Sequence, residues 1–287
     1  MSNIQSCSIV VPAGCPNDCK FCVAEMERGN FENRIEDPSD VLAEEDYLQR
    51  LRYVRDNGCD NVILTGNGEP MQNKEFLQRF AYWNEIIGSP FYKVEIQTSG
   101  TLLNNYNLEF LRNQIGINTI SLSLSSLDSK MNQKYNQTPD SLFFNIENLC
   151  KMIKEYNFNL RLSLNLTDEF NGWRRDKLFN YIKSLKADQV TFRKLYKSGQ
   201  GLKQDKWIEE HKAWDGLADH LSEYIKEKGE AIEILPFGAT RYSINGLSTV
   251  VDDDCMSEKA KQSLKYLVLY PNCHLYARWN DKGSLDY

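Results

Sequence analysis

The sequence is poor in histidine, in positive charge and in long apolar runs. It holds three histidines, His211, His220 and His274, and no HxxxH pair, which disfavours a zinc site built on histidine. A total of 34 basic residues stands against 40 acidic ones, and the net charge of −6 argues against the long basic surface that a nucleic-acid polymer requires. The N-terminal stretch MSNIQSCSIVVPAG has no basic start and too short an apolar run for a signal peptide or a membrane span, so we expect a cytoplasmic protein.

The chain does have an ordinary globular composition and eight cysteines. Its 287 residues are 41% hydrophobic and 26% charged, which suffices for one large α/β domain or for a domain with a modest appendage. In a reducing cytoplasm, cysteines are metal ligands, catalytic groups or core residues more often than they are disulfides.

Hydrophobic periodicity predicts six alternations of strand and helix, the last of them ending in one long helix over residues 209–229. Short connections of this kind require right-handed crossovers and a parallel sheet. We therefore predict an α/β fold, a parallel sheet that curves into a full or partial TIM-like barrel over residues 1–230, with ligands at the C-terminal ends of the strands. Beyond it, strands joined by NG and PNC turns predict an antiparallel β extension that covers the barrel over residues 231–287.

Three cysteines, Cys15, Cys19 and Cys22, follow the first predicted strand closely, with three and then two residues between them. This spacing lets one loop wrap three thiolates around one inorganic centre. A structural zinc site needs four ligands, and no second CxxC pair supplies the fourth. An iron–sulfur cluster with three thiolates and one open iron is favoured, because the open iron can bind a substrate or cofactor.

On these residues the chain resembles the radical S-adenosylmethionine (radical SAM) superfamily, whose signature is CxxxCxxC after the first strand of a partial (β/α)6 barrel. The resemblance implies that the predicted barrel is a partial (β/α)6 TIM-like barrel. A second resemblance is the turn after the second strand, GNGEP, which is similar to the family's GGEP turn. It comprises Gly66, Asn67, Gly68, Glu69 and Pro70. The resemblance implies that this turn binds the amino group of the methionine moiety, and exposed carbonyls with a carboxylate suit an ammonium group.

The resemblance also implies weaker assignments around S-adenosylmethionine (AdoMet). Phe21 would lie beside the adenine, and Leu195 would close over it, with Tyr196 as the alternative. The pattern is closest to the molybdenum-cofactor cyclase branch, where a serine holds the methionine carboxylate, and Ser123 matches that position. The remaining implied cofactor contacts are Thr98 and Ser99 in a TNG-like turn and Ser163 or Asn165 at the ribose.

The family implies one [4Fe–4S] cluster and AdoMet as cofactors, with a flavodoxin- or ferredoxin-like protein as electron donor. One electron would cleave AdoMet to a 5′-deoxyadenosyl radical, which abstracts hydrogen from a substrate. A small-molecule or nucleotide substrate is the first hypothesis, because the extension is short and the net charge is negative. A peptide substrate is the second and RNA the third, and a non-catalytic iron–sulfur protein is the alternative from a different class.

The other cysteines divide into three groups. Cys150 falls on the apolar face of a predicted helix, which indicates a core residue. Cys7 and Cys59 lie too far along the fold to share the first cluster. Cys255 and Cys273 are low-ranked candidates for a catalytic or hydrogen-donating thiol or for part of a second cluster, and two buried core residues are the simplest interpretation.

Overall fold

A computed structural model describes residues 3–28, 41–234, 240–252, 263–264 and 266–279. Strands and helices alternate along the chain from the first parallel strand to residue 228. The strands are β1 Asn3–Ile4, β2 Cys7–Val11, β3 Asn61–Gly66, β4 Lys93–Thr98, β5 Thr119–Leu124, β6 Asn159–Asn165, β7 Gln189–Arg193, β8 Glu230–Ile234, β9 Thr240–Ile244, β10 Leu247–Asp252, β11 Ser263–Leu264, β12 Leu267–Leu269 and β13 Leu275–Tyr276.

The helices lie mainly between consecutive strands of the sheet. They are α1 Val23–Met26, α2 Val41–Asp56, α3 Lys74–Ile86, α4 Asn105–Phe110, α5 Ser129–Asn136, α6 Ile146–Glu155, α7 Arg175–Ser184, α8 Lys203–His211 and α9 Leu217–Lys228. Side-chain caps fix several of their first turns: Asn73 accepts from Phe76 N at α3, and Asn145 accepts from Asn148 N at α6. None of the helices in the described ranges has both the length and the apolar composition needed to cross a membrane.

Strands β2 to β7 pair in parallel and in chain order, as the sequence predicts. They form the centre of an eleven-stranded sheet that does not close on itself, since β13 and β8 are its two edges. This open, mostly parallel α/β sheet confirms the predicted fold class. All six carboxyl ends of β2 to β7 lie at one rim of the sheet, where the loops that carry the site begin.

Each central strand has one apolar and one polar face. The apolar residues at alternate positions, such as Leu64, Leu122 and Leu162, belong to the main core between the sheet and its helices. The opposite face, which we call the inner face, carries polar side chains instead. Thr65 on β3 donates to Gln97 on β4 at 3.3 Å, and this pair is typical of the inner face.

A buried ion pair crosses the middle of the inner face. Arg161 on β6 lies 2.6 Å from the carboxylate of Glu95 on β4, which is only 3% exposed. The same guanidinium donates two hydrogen bonds to Gln189 Oε1 on β7, at 2.9 and 2.7 Å. Three strands are therefore joined by one charged group, independently of the backbone ladder.

The C-terminal strands extend both edges of the same sheet. The hairpins β9–β10 and β12–β13 are antiparallel, as predicted. The sequence did not indicate that β10 would pair in parallel with β7, nor that β12 would pair in parallel with β2. The division of the chain at residue 230 stays a prediction.

The predicted long helix over residues 209–229 is wrong, because residues 212–216 are not helical and separate α8 from α9. Backbone N–H groups of this interruption bond elsewhere: Ala213 N donates to Leu166 O and Trp214 N to Asn171 Oδ1. These bonds attach the break to the end of β6. The two N–H groups are therefore not available for the helical hydrogen bonds that the apolar spacing predicts.

We predict that replacing Arg161 by Met lowers the free energy of unfolding by about 3–5 kcal/mol, because Glu95 is left charged and buried without a partner. Replacing both residues, in Glu95→Gln/Arg161→Met, should recover most of that loss. Lys93→Met, which removes the exposed partner of Asp60, should change the stability by less than about 1 kcal/mol. Urea unfolding followed by circular dichroism measures all three, and equal losses in the single and double variants would contradict the prediction.

Candidate iron–sulfur and S-adenosylmethionine site

The three clustered cysteines lie on the loop that follows β2, at the rim of the sheet. Cys15 is exposed, and Cys19 and Cys22 are half-buried. Cys22 is also the residue at which α1 begins, since Met26 N donates to its carbonyl. A cavity of about 360 Å³ is lined by Ala13, Gly14, Cys15, Asn17, Asp18, Cys19, Cys22, Ala24, Glu25, Arg28 and Asn67.

Burial raises the pKa of all three thiols above the usual value for cysteine. At Cys19 the neighbouring Cys22 and Cys15 raise the pKa further, because three thiolates at one place repel one another. Deprotonating all three therefore requires a positive centre between them, which iron supplies. Within the described ranges, no three His, Cys, Asp or Glu side chains converge on the position of a single metal ion. A [4Fe–4S] cluster does not need that convergence, because its thiolates bind separate iron atoms.

The GNGEP turn after β3 packs directly on the backbone of the cysteine loop. A Cβ at position 68 would lie 2.2 Å from the carbonyl oxygens of both Ala13 and Gly14, and one at position 66 would lie 2.5 Å from Val11 O. Glu69 N donates to Gly14 O at 2.8 Å. Both glycines are thus required by the close approach of two backbones.

The carboxylate of Glu69 is buried and accepts four hydrogen bonds. Its Oε1 accepts from Thr98 Oγ1 at 2.7 Å and from Met71 N at 3.3 Å. Its Oε2 accepts from Ser99 N at 2.9 Å and from Ser99 Oγ at 2.7 Å. Glu69 therefore joins the turn after β3 to the turn after β4, and its acceptor capacity is used inside the protein.

Two residues that line the cavity contain buried polar atoms without a hydrogen-bond partner. Asn67 Oδ1 is buried with no hydrogen bond, and so are both polar side-chain atoms of Asn17. Leaving such a group unsatisfied costs about 1–3 kcal/mol. The three thiols, the two asparagines and the glycine turn form a donor set that fits a cluster with a polar ligand bound to it.

The serines and the asparagine predicted at the cofactor lie on the inner face. Ser123 on β5 is the register partner of Ser163 on β6. Asn165 Nδ2 donates to Ser125 Oγ at 3.4 Å, and Ser125 Oγ in turn donates to Asn136 at 3.0 Å. The structure thus brings Ser123, Ser163 and Asn165 to the rim side of two adjacent strands.

Phe21, the aromatic residue predicted at the adenine, lies beside α8. Phe21 is half-buried, and its ring centroid is 5.5 Å from that of Trp207. Trp207 stacks on His211 at 4.3 Å and meets the edge of Tyr135 at 5.4 Å. Sequence reasoning did not identify this aromatic group, because its members come from three distant segments and no local pattern connects them.

Leu195 and its alternative Tyr196 follow β7, and the two candidate thiols, Cys255 and Cys273, belong to the C-terminal part of the chain. Leu195 is half-buried next to Tyr196, whose hydroxyl donates to Glu27 Oε1 at 2.7 Å. Cys273 is buried in the main core, and its thiol donates to Ala43 O at 3.1 Å. Cys255 lies outside the described residues.

The chain is similar to a known protein family and to a curated protein. A family model described as the Radical SAM superfamily matches residues 9–180. An uncharacterised protein of Methanocaldococcus jannaschii is 25% identical over 172 residues, which are 58% of this chain and 39% of that protein.

Two solved structures have a fold similar to that of this chain. Coproporphyrinogen III oxidase of Escherichia coli, described as a radical SAM enzyme, has a TM-score of 0.52 at 11% identity, over 93% of this chain and 62% of that one. The structure of native anSMEcpe with bound AdoMet has a TM-score of 0.51 at 16% identity, over 78% of this chain and 61% of that one. This chain therefore covers less than two thirds of the length of each of these proteins.

Gly68→Ala should lower the free energy of unfolding by about 1–3 kcal/mol and reduce the iron retained after reconstitution, because the new methyl group displaces the cysteine loop. Gly172→Ala is the matched control, since a Cβ there meets no atom within 4 Å. Urea unfolding and iron analysis of both variants test this, and equal behaviour would show that the turn does not hold the loop.

Glu69→Ala should lower the free energy of unfolding by about 3 kcal/mol and weaken AdoMet binding at the same time, because it removes the acceptor of four buried donors. Glu85→Ala, on the exposed face of α3, is the control. Equilibrium dialysis with AdoMet and urea unfolding give the two quantities. Weaker AdoMet binding at unchanged stability would show instead that the carboxylate contacts the cofactor directly.

Proposed function

Because the chain belongs to the radical SAM superfamily, we propose that it is an enzyme that binds one [4Fe–4S] cluster and AdoMet and takes a hydrogen atom from a small-molecule or nucleotide substrate. The observation that carries the proposal is the contact of the GNGEP turn with the CxxxCxxC loop, around one cavity that the thiols and two unsatisfied asparagines line. When bound, the cluster supplies the electron that cleaves AdoMet reductively.

The residues of the chain have separate tasks in this proposal. Cys15, Cys19 and Cys22 hold the iron, and the carbonyls of the glycine turn with Asn67 bind the ammonium group of AdoMet. Glu69 positions that turn. The other predicted contacts are Ser123 at the carboxylate, Ser163 or Asn165 at the ribose, Phe21 with Leu195 or Tyr196 at the adenine, and Thr98 and Ser99 in the turn after β4.

A small polar substrate is supported by the inner face and by the charge of the chain. The inner face offers hydroxyl, amide and charged groups along β3 to β7, and these suit a hydrogen-bonding molecule. The net charge of −6 does not favour a nucleic-acid polymer. We further propose that the protein works in the reducing cytoplasm, where a flavodoxin- or ferredoxin-like donor supplies the electron.

Replacing Cys15, Cys19 or Cys22 by Ala should abolish the broad iron–sulfur absorption and the reductive cleavage of AdoMet together, because each thiolate holds one iron. The wild type, reconstituted anaerobically with iron and sulfide, should retain about four irons per chain. It should also form 5′-deoxyadenosine from AdoMet and dithionite, measured by chromatography. Cys150→Ala is the control, since Cys150 is a core residue with no exposed surface, and it should keep the iron.

Zinc in place of iron in the wild type would contradict the proposed function. A cluster that binds AdoMet and never cleaves it would contradict the enzymatic part, and would favour a non-catalytic iron–sulfur protein.

A further inference from the structure

Arg193, the last residue of β7, lies on the inner face at the rim of the sheet. Its neighbours on the strand alternate: Val190 and Phe192 are buried in the main core on the helix side. Gln189 points the other way, since its side chain accepts from Arg161 on the inner face. Arg193 shares that face with Gln189, four residues nearer to the carboxyl end of the strand.

Among the described residues, the guanidinium of Arg193 has no hydrogen-bond or ion-pair partner. Its Nε is buried without a hydrogen bond, and no hydrogen bond or ion pair joins its guanidinium to another residue in the described part of the chain. Arg161, on the same face, has a carboxylate and an amide oxygen as partners. Asp252 is the register partner of Arg193 on β10. A partly buried cation that forms no hydrogen bond or ion pair within the described residues costs free energy in the ligand-free protein, and an anionic ligand would repay that cost.

Two other cations after β7 are already paired with acidic side chains. Lys197 forms an ion pair with Glu209, and Lys212 contacts both Glu209 and Asp215. Arg193 differs from these two lysines, because its guanidinium donors are not used in an ion pair within the described residues.

The register places Arg193 beside the residues proposed for the ribose. Asn165 is the partner of Arg193 across β6 and β7, and Ser163 is the partner of Thr191. A ligand held by Arg193 would lie next to the ribose of AdoMet. The substrate must lie there too, because the hydrogen atom is transferred to the 5′ carbon of that ribose.

We propose that Arg193 binds an oxyanion of the substrate, a carboxylate or a phosphate, through the paired N–H groups of its guanidinium. This inference rests on the proposed function, because that function is what identifies the bound ligand as the substrate. A guanidinium fork matches either oxyanion with two parallel hydrogen bonds, which an ammonium group does not provide. The carboxylate of AdoMet offers the same chemistry, and the experiment separates the two sources.

The test uses the full chain, reconstituted with its cluster and saturated with AdoMet. Inorganic phosphate and, separately, propionate are titrated at constant ionic strength, and binding is read from the rise of the thermal midpoint. At least one of the two anions should bind saturably. Arg193→Met should raise its dissociation constant by about tenfold or more, and Arg193→Lys should recover part of the loss. Arg174→Met removes an exposed arginine and should leave the constant unchanged.

Two further measurements make the result decisive. Without added anion, Arg193→Met should be no less stable than the wild type, since the charge it removes has no partner; a lower thermal midpoint would reveal a structural role and overturn the proposal. AdoMet affinity, measured by equilibrium dialysis, should be kept. A tenfold loss of AdoMet affinity with unchanged anion binding would assign Arg193 to the cofactor and overturn the proposal as well.

The two hypotheses fail in different ways. If the wild type forms 5′-deoxyadenosine and neither anion binds through Arg193, this inference is wrong and the proposed function stands. If no 5′-deoxyadenosine forms while Arg193-dependent anion binding is present, the oxyanion site is supported and the proposed function is wrong.

Discussion

The close approach of two backbones determines where the chemistry of this protein can occur. The GNGEP turn lies so near to the carbonyls of Ala13 and Gly14 that no side chain fits at position 68. Glu69 extends the same contact to the turn after β4 through its four hydrogen bonds. Three loops from three neighbouring strands are therefore held together before any cofactor binds, and the three cysteines project from the first of them. A cluster ligand set needs this support, because short loops alone do not hold thiolates at fixed positions.

The sheet also separates the apolar core from the polar groups of the site, because the two lie on opposite faces of the strands. Its helix side carries the main apolar core, and its inner face is free to hold charged and hydroxyl groups. The Arg161–Glu95 pair satisfies its own charges in the middle of that face, whereas Arg193 at the rim does not. Charge is thus compensated where the sheet must be rigid and left uncompensated where a ligand can arrive.

The sequence was sufficient to predict the order of the central strands and the cysteine loop, and the reasons are local. Periodicity identifies each strand, and right-handed crossovers within a barrel then place the strands in chain order. The spacing of Cys15, Cys19 and Cys22 is a property of eight consecutive residues. Helix α5 was missed because two of its three buried side chains, Asn132 and Asn136, are polar, and Tyr135 alone gives no apolar period.

What the sequence did not show depends on contacts between distant segments. The break between α8 and α9 exists because Ala213 and Trp214 bond to the end of β6. Glu69 looked like a ligand for an ammonium group, and its four partners become apparent only when β3 and β4 are adjacent. The pairing of β10 with β7 and of β12 with β2 joins residues far apart in the chain, and no residue pattern specifies such a partner.

The pairing of β12 with β2 also sets an order of events during synthesis. Strand β2 is made first, yet its open side is covered by residues near the end of the chain, and Val10 packs with Val268, Tyr270 and Tyr276. Ala24, two residues after the last clustered cysteine, packs against this same group. The cysteine loop therefore reaches its final surroundings only after the ribosome has released the C-terminal hairpin. The surroundings that the loop offers to an inorganic centre are therefore complete only when both β2 and the hairpin β12–β13 have formed.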